Sequence, residues 1–401
     1  MLDLLKQLRE LSATEVGCTR IGYTDLEDQA FDLVWRNLSD IAHLKRVDDA
    51  AGNMFIVPER SAMPDADPVV LVGSHLDTVV EGGWLDGALG VAVAANTLRI
   101  MAENETARPS VGLVVFRDEE GVRFNTGLFG SRVFANRCRQ QDLDVADVNG
   151  IRVGDVVPDP VGCLDYVPPV KPACFLECHI EQGVRMAASG DRVGLVDGVV
   201  GIRRYRLEAT GAANHAGTTD MRRRRDALVP VARIVSQLPA LVSPWEHAVL
   251  TCGQLMVLPG APNVVPGKVI AVVESRAPTV EILDNIERSL QAYVHPQGGS
   301  GEPPQVTLAL TCTLALEPTA TDNELLSRLR LVVVRRGIQH LTLPSMAGHD
   351  TQNATRVCPS AMFFIPSIDG ISHNPEEDSH EADIRLAGEV MHEWVLQCLR
   401  Q

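Results

Sequence analysis

Hydrophobic and polar positions follow two rhythms along this chain. Up to about residue 201, short apolar runs alternate with segments of helical spacing. Residues 1–45 predict helix, most clearly over Leu26–Leu38. The run VVLVG at 69–73 predicts a buried strand, and ALGVAVAANTLRIMA at 88–102 a buried helix. VGLVVF at 111–116 predicts a second buried strand, and 127–137 the start of another helix. Residues 155–172 are rich in proline and polar residues and predict a loop; ACFLECHI at 173–180 is strand-like. Strands and helices in this alternation predict a mostly parallel sheet covered on both faces.

The second rhythm begins near residue 202. Residues 203–210 (RRYRLEAT) and 305–315 (QVTLALTCTLA) alternate polar and apolar positions, and 247–258 and 267–275 also predict strands. Helices are predicted at 226–241 and 280–294. Four strands with two helices predict a small α+β domain. Helices at 324–337 and 382–399 and a buried strand at 361–365 return the chain to its first rhythm. The expected organisation is an α/β fold: a discontinuous first domain of 1–201 and 317–401, interrupted by an inserted α+β domain of 202–316. There is no tandem repeat and no low-complexity segment.

Composition narrows the function classes. The 401 residues suffice for two or three domains, and 45% hydrophobic content can fill a sizeable core. A net charge of −16 argues against non-specific binding to nucleic acid or an anionic membrane. The run Arg222 to Arg225 is the local exception; Asp220 and Asp226 flank it, which favours helix-start contacts in a dimer over a nucleic-acid patch. The N-terminus has no uninterrupted apolar core of a secretory signal, and no stretch approaches 18 uncharged apolar residues. The nine cysteines are scattered and odd in number, which predicts reduced thiols and a cytoplasmic setting. Cys174 and Cys178, spaced CxxxC in a strand-like run, read as core thiols, with metal ligation as the alternative.

Candidate chemistry clusters just after the predicted strands, where open parallel sheets place functional groups. His75 in GSHLDT follows VVLVG; its imidazole suits zinc or manganese, and Asp77 could hold the other ring nitrogen. Taken alone, a loop histidine paired with an aspartate is the simpler explanation of that segment. Asp86 in GGWLDGALG precedes a helix, where it could be an N-cap; the surrounding glycines permit a tighter backbone path than capping requires. Asp118, Glu119 and Glu120 follow VGLVVF. Three adjacent acids repel unless a divalent cation sits among them; one can then bind metal while its neighbour acts as a base. His179 in ECHIEQG and His373 in GISHNP complete five separated segments. In the inserted segment, His215 lies among small residues in GAANHAGTTD. Asn263 and Arg276 could hold a carboxylate or stand as surface polar residues.

Together these segments resemble the M20 metallopeptidase-related amidohydrolases, in the branch of N-carbamoyl-L-amino-acid hydrolases and allantoate amidohydrolases. The carrying motifs, in order, are GSHLDTV, GGWLDGALG, DEEGVRF with GSR, HIEQG, ANHAGTT with RRDAL, PNVVPG, AGHD and PSIDGISHNP. The resemblance implies two divalent metal ions per subunit, zinc or manganese, bridged by Asp86 and completed by His75, Glu120, His179 and His373. It implies Glu119 as general base, moving a proton from the attacking water to the leaving nitrogen. Gln182, His215, Asn263, Arg276 and His349 match substrate-contacting positions. The inserted domain would be a lid and dimer contact, with His215 entering the partner's site of a homodimer to stabilise the oxyanion. The departures are GTTDM for the family's GTTPM, ESR for DxR, and Cys178 for a leucine. None removes a proposed ligand.

The substrate expected is a small ureido compound with a carboxylate. SHLDTVVEGG, VDGVVGIRRY and FFIPSIDGISHNP look closest to allantoate amidohydrolases; N-carbamoyl-L-amino acids (or β-ureidopropionate) are the alternative, since the same group is attacked. A dipeptidase on this scaffold is disfavoured by His179, which stands where many peptidase relatives place an acid. A non-catalytic metal-binding protein would carry a damaged site, whereas every expected ligand and the base are present.

Overall fold

The computed structural model describes residues 1–63, 66–103, 111–294 and 306–399. The strands in chain order are β1 (Leu44–Asp48), β2 (Met54–Pro58), β3 (Val69–His75), β4 (Val111–Phe116), β5 (Pro172–Ile180) and β6 (Val193–Val199). Then follow β7 (Gly201–Thr210), β8 (Asn214–His215), β9 (Val249–Leu258), β10 (Val264–Val265), β11 (Lys268–Ala277) and β12 (Thr307–Leu316). β13 (Thr319–Ala320), β14 (His340–Ser345) and β15 (Ser360–Ile365) complete the set. The chain forms two compact units, Met1–Asp197 with Ala320–Gln401, and Gly198–Thr319.

The first unit is built on a nine-stranded sheet of order β1-β2-β4-β3-β5-β15-β6-β13, with β14 on β6. Its centre is parallel: β4 with β3, β3 with β5, and β5 with β15. Antiparallel pairs flank that block. β3 is buried along its whole length, so its apolar run serves both faces. Val70, Val72, Leu176, Cys178 and Phe363 face one apolar layer, covered by the helices Leu2–Ser12, Asp25–Leu38, Ala88–Glu103, Asn323–Arg335 and Glu381–Cys398. Val69, Leu71, Phe116 and Phe175 face the other, with Phe129, Phe134 and Tyr166. Strand periodicity places His75 and His179 on this second face and both Cys174 and Cys178 on the first. The two thiols are core residues, and among the described residues neither belongs to a group that could hold a metal ion.

Several expectations change here. Residues 1–45 are not one helical region. The chain leaves the helix at Ala13 and makes bridges Ala13 to Cys18 and Cys18 to Gly82 before Asp25. The cause is Arg20, which is fully buried and donates to the carbonyls of Leu8 and Leu76 and to Ser12 Oγ. The predicted loop at 155–172 contains a helical turn, Pro160–Leu164, capped by Asp159 on the amide of Gly162. β1, β2, β6 and β14 were not among the predicted strands, although MFIVP of β2 is an apolar run buried at every position.

The second unit is a four-stranded antiparallel sheet of order β12-β7-β11-β9. Every second residue of β11 is buried, so one face packs on the helices Leu228–Val242 and Val280–Val294 through Tyr205, Leu207, Val269 and Val273. Residue 305, the first of the predicted last strand, lies outside the described residues. Among the described residues, no helix is long and apolar enough to cross a membrane.

The helix Ala88–Glu103 seats on the parallel strands through Gly90. A Cβ there would lie 2.4 Å from the Cys178 carbonyl oxygen and 2.7 Å from Ser74 Cβ. Gly90→Ala is expected to destabilise the protein by about 1–3 kcal/mol through overpacking. An unchanged thermal and urea midpoint would contradict this packing.

Candidate metal centre

The carboxyl ends of β3, β4, β5 and β15 bring the separated segments together. His75 is the last residue of β3 and pairs with Phe116 of β4. His179 lies near the end of β5. After β4, the backbone turns at Asp118, whose φ is +51°, and the carbonyls of Arg117, Asp118 and Glu119 are held by the amides of Gly130, Phe129 and Leu128. That turn separates the three acids. Asp118 points into the interior against Gly22, while Glu119 and Glu120 face the histidines.

Asp86 stands at the centre. Its Oδ1 lies 3.5 Å from His75 Nε2 and 3.1 Å from His179 Nε2. Its Oδ2 lies 3.3 Å from His373 Nε2, and the same nitrogen is 3.2 Å from Glu120 Oε1. Two groups of potential ligands result, His75–Asp86–His179 and Asp86–Glu120–His373, and they share Asp86. The carboxylate is turned toward imidazoles and does not cap the following helix. Gly87 makes this possible: its φ is +64°, and a Cβ on it would meet His75 Cε1 at 2.5 Å.

The outer nitrogens of two rings are already engaged. His75 Nδ1 is 3.1 Å from the Asp77 carbonyl, and His179 Nδ1 is 2.9 Å from the Ile180 carbonyl. Donation from Nδ1 leaves the Nε2 lone pairs directed at Asp86. Asp77 was expected to hold His75 through its carboxylate. The carboxylate is 3.4 Å away, and it mainly accepts the amides of Glu119 and Glu120, at 3.0 and 2.9 Å. It therefore positions the backbone of Glu119 and Glu120 as well as the His75 ring.

Charge in this cluster is unbalanced. Burial pushes Glu119 well above the usual carboxylate range, although the His75 charge pulls it down. Burial and the Asp86 charge also raise Glu120. Burial opposes charge on His75, but Glu119, Asp77 and Asp86 outweigh it and hold the ring well above its ordinary value. Hydrogen bonds to Asp86 and Glu120 push His373 up to about 10. Carboxylates packed this closely against one another leave the cluster short of positive charge, which divalent cations would supply. Imidazole and carboxylate donors without thiolate fit zinc or manganese.

The remaining expected residues divide. Gln182 is in the cluster, with Nε2 donating to Asp86 Oδ2 at 2.7 Å. His349 is buried edge-on to His179, ring centres 4.6 Å apart, and its Nε2 meets Ser345 Oγ at 2.8 Å. Burial and the His179 charge depress it well below its ordinary value, so the ring is neutral. In the second unit, β8 pairs with β10 and the Asn263 carbonyl accepts the Ala216 amide, so His215 and Asn263 are neighbours. His215 is exposed, and its Nδ1 accepts the amides of Gly217 and Thr218 at 3.1 and 3.2 Å. Arg276 is elsewhere. It lies eight residues along β11 from Lys268, about 26 Å at strand rise, and donates to Glu274. The basic run is partly structural: Arg224 donates to the carbonyls of Ala216 and Thr219 in the His215 loop.

Among the buried acids that escaped the sequence reading, Glu177 and Glu377 tie segments of the site together. Glu177 accepts Ser74 Oγ and the amide and hydroxyl of Thr351, tying β3, β5 and the helix Thr351–Ala354. Glu377 joins the Asp86 and His373 segments. Its signal was its place four residues after His373, in HNPEE, which a solvated acidic turn matches equally well.

The class defined by this fold and site agrees with comparison to known proteins. The profile of peptidase family M20/M25/M40 matches residues 71–397, and the chain belongs to that family. It is a hydrolase of C–N bonds. An N-carbamoyl-L-amino acid amidohydrolase from Geobacillus stearothermophilus is 33% identical over 95% of this chain and 93% of its own length. An allantoate amidohydrolase from Escherichia coli K12 is 32% identical over 84% of this chain and 82% of its own. A crystal structure of a hydantoinase/carbamoylase family amidase from Burkholderia multivorans superimposes with a TM-score of 0.86 at 29% identity, covering 99% and 96% of the two chains.

Proposed function

We propose that this protein hydrolyses a ureido C–N bond with two divalent ions, zinc or manganese. His75, Asp86 and His179 would hold one, and Asp86, Glu120 and His373 the other. The observation that carries the reading is the single Asp86 carboxylate, each oxygen of which addresses one ligand group. Such ions polarise a carbonyl and make water nucleophilic at neutral pH.

The chain's own residues do the rest. Glu119, 3.8 Å from His75 Nε2, takes a proton from the attacking water and delivers it to the leaving nitrogen. His215 stabilises the oxyanion. With Nδ1 occupied by two amide donors, its neutral ring carries the proton on Nε2, free to donate. Gln182, Asn263, His349 and Arg276 orient the substrate, with Arg276 exchanging Glu274 for the substrate carboxylate. The second unit serves as lid and dimer contact. His215 pairs with β10, just before the Lys268 end of β11, and Arg276 lies near the far end of that strand; this separation supports a homodimer in which His215 enters the partner's site, since one small substrate cannot span that distance. All nine cysteines are free thiols, which supports a cytoplasmic setting.

Allantoate is the substrate we favour. It offers a carboxylate and two ureido groups; water attack on one gives ureidoglycine and a carbamate that falls to ammonia and carbon dioxide. The 33% identical relative favours N-carbamoyl-L-amino acids as the second reading.

Purified protein with Mn²⁺ should release ammonia from allantoate faster than from a panel of N-carbamoyl-L-amino acids. Chelation should abolish activity, and Mn²⁺ or Zn²⁺ should restore it. Glu119→Gln should retain bound metal and lose about 10²–10⁴-fold in kcat. Full activity after chelation would contradict the metal reading, and a fast Glu119→Gln variant the assignment of the base.

Shared sites make a second prediction. His215→Ala and Glu119→Gln, each nearly inactive alone, should regain activity when their subunits are mixed and allowed to exchange. A mixture as inactive as its components would place His215 within its own subunit's site, and a fully active His215→Ala variant would place it outside the chemistry.

A further inference from the structure

We infer that Glu377 is a positioning residue that sets Asp86 and His373 as one unit, a role that rests on the two-ion reading above. Glu377 is 1% exposed and every polar contact it makes is with a donor. Its Oε1 accepts the amides of Leu85 and Asp86, both at 3.0 Å. Its Oε2 accepts Ser372 Oγ at 2.9 Å and the His373 amide at 3.3 Å. The Ser372 hydroxyl also lies 3.2 Å from Asp86 Oδ2. One buried carboxylate thus fixes the backbone of the shared ligand, the backbone of a second ligand, and a hydroxyl resting on the shared carboxylate. These segments lie nearly three hundred residues apart in sequence, and Glu377 joins their backbones through hydrogen bonds to the amides of Leu85, Asp86 and His373.

The placement is costly for a group that only packs. Glu377 brings a second carboxylate beside Asp86 in a buried place, where like charges repel. A neutral side chain would fill the space without that cost. The extra negative charge becomes favourable once cations occupy the neighbouring ligand groups. Carboxylates that hold metal ligands from behind typically change metal affinity 10–100-fold when removed.

The hydrogen-bond pattern also says which ion should respond. Glutamine at this position has one acceptor oxygen and one amide that only donates. Turned toward Leu85 and Asp86, the amide would meet two backbone donors that cannot reverse. Turned toward Ser372, it meets a hydroxyl that can rotate to accept. Glu377→Gln therefore keeps the Asp86 backbone held and releases His373.

The test is a titration of the chelator-stripped full chain with Mn²⁺ alone and with Zn²⁺ alone, read by calorimetry and by metal analysis. The native chain should take up two ions. Glu377→Gln should bind one as tightly as native and the other about 10–100-fold more weakly. Ser372→Ala, which removes one half-buried hydroxyl, should weaken the same ion by a smaller factor with an unchanged thermal midpoint. Two native affinities in Glu377→Gln would overturn the role. So would equal weakening of both ions in step with a lower thermal midpoint, because that is loss of fold. If Glu377→Gln does not fold, native affinities in Ser372→Ala overturn it. A native chain that binds fewer than two ions overturns the two-ion reading itself.

Discussion

The interaction on which the rest of this structure depends is the contact between one buried carboxylate and three imidazoles. Asp86 can face His75, His179 and His373 only because Gly87 clears the His75 ring and the strands of the first unit end together. The parallel block β4-β3-β5-β15 is therefore the ruler of the site. Its apolar faces are satisfied by helices on one side and by aromatic residues on the other, and its polar work is confined to the strand ends. That arrangement concentrates negative charge in a buried place and leaves it short of cations.

Much of the architecture was legible in the sequence. VVLVG, VGLVVF and AMFFI are buried on both faces, so their apolar runs had no competing explanation. The alternation of RRYRLEAT equally matches a half-covered antiparallel strand. What escaped was short or governed by distant partners. Arg20 ends the helical signal at residue 12 through carbonyls and a hydroxyl that no local pattern announces. Edge strand β1 has a single buried residue and so little apolar signal.

The candidate site was legible in the residues that could hold a metal ion and not in their supports. His75, Asp86, Glu120, His179 and His373 each had a simple structural alternative, and geometry brings all five together. Asp118 looked equivalent to Glu119 and Glu120, but a left-handed turn sends it inward. Asp77 looked like the partner of one ring, yet its carboxylate mainly holds two backbone amides. Glu177 and Glu377 act across more than a hundred residues, so spacing could not reveal them. The inserted segment teaches the same lesson: register along β11, and no motif, separates Arg276 from His215 and Asn263.

The central claim is that Asp86 serves two ions at once. The most direct measurement is anomalous diffraction from crystals grown with Mn²⁺ or Zn²⁺. The account predicts two peaks, one against the His75 and His179 nitrogens and one against Glu120 and His373, both within ligand reach of Asp86. A single peak, or peaks that leave Asp86 unliganded, would contradict it.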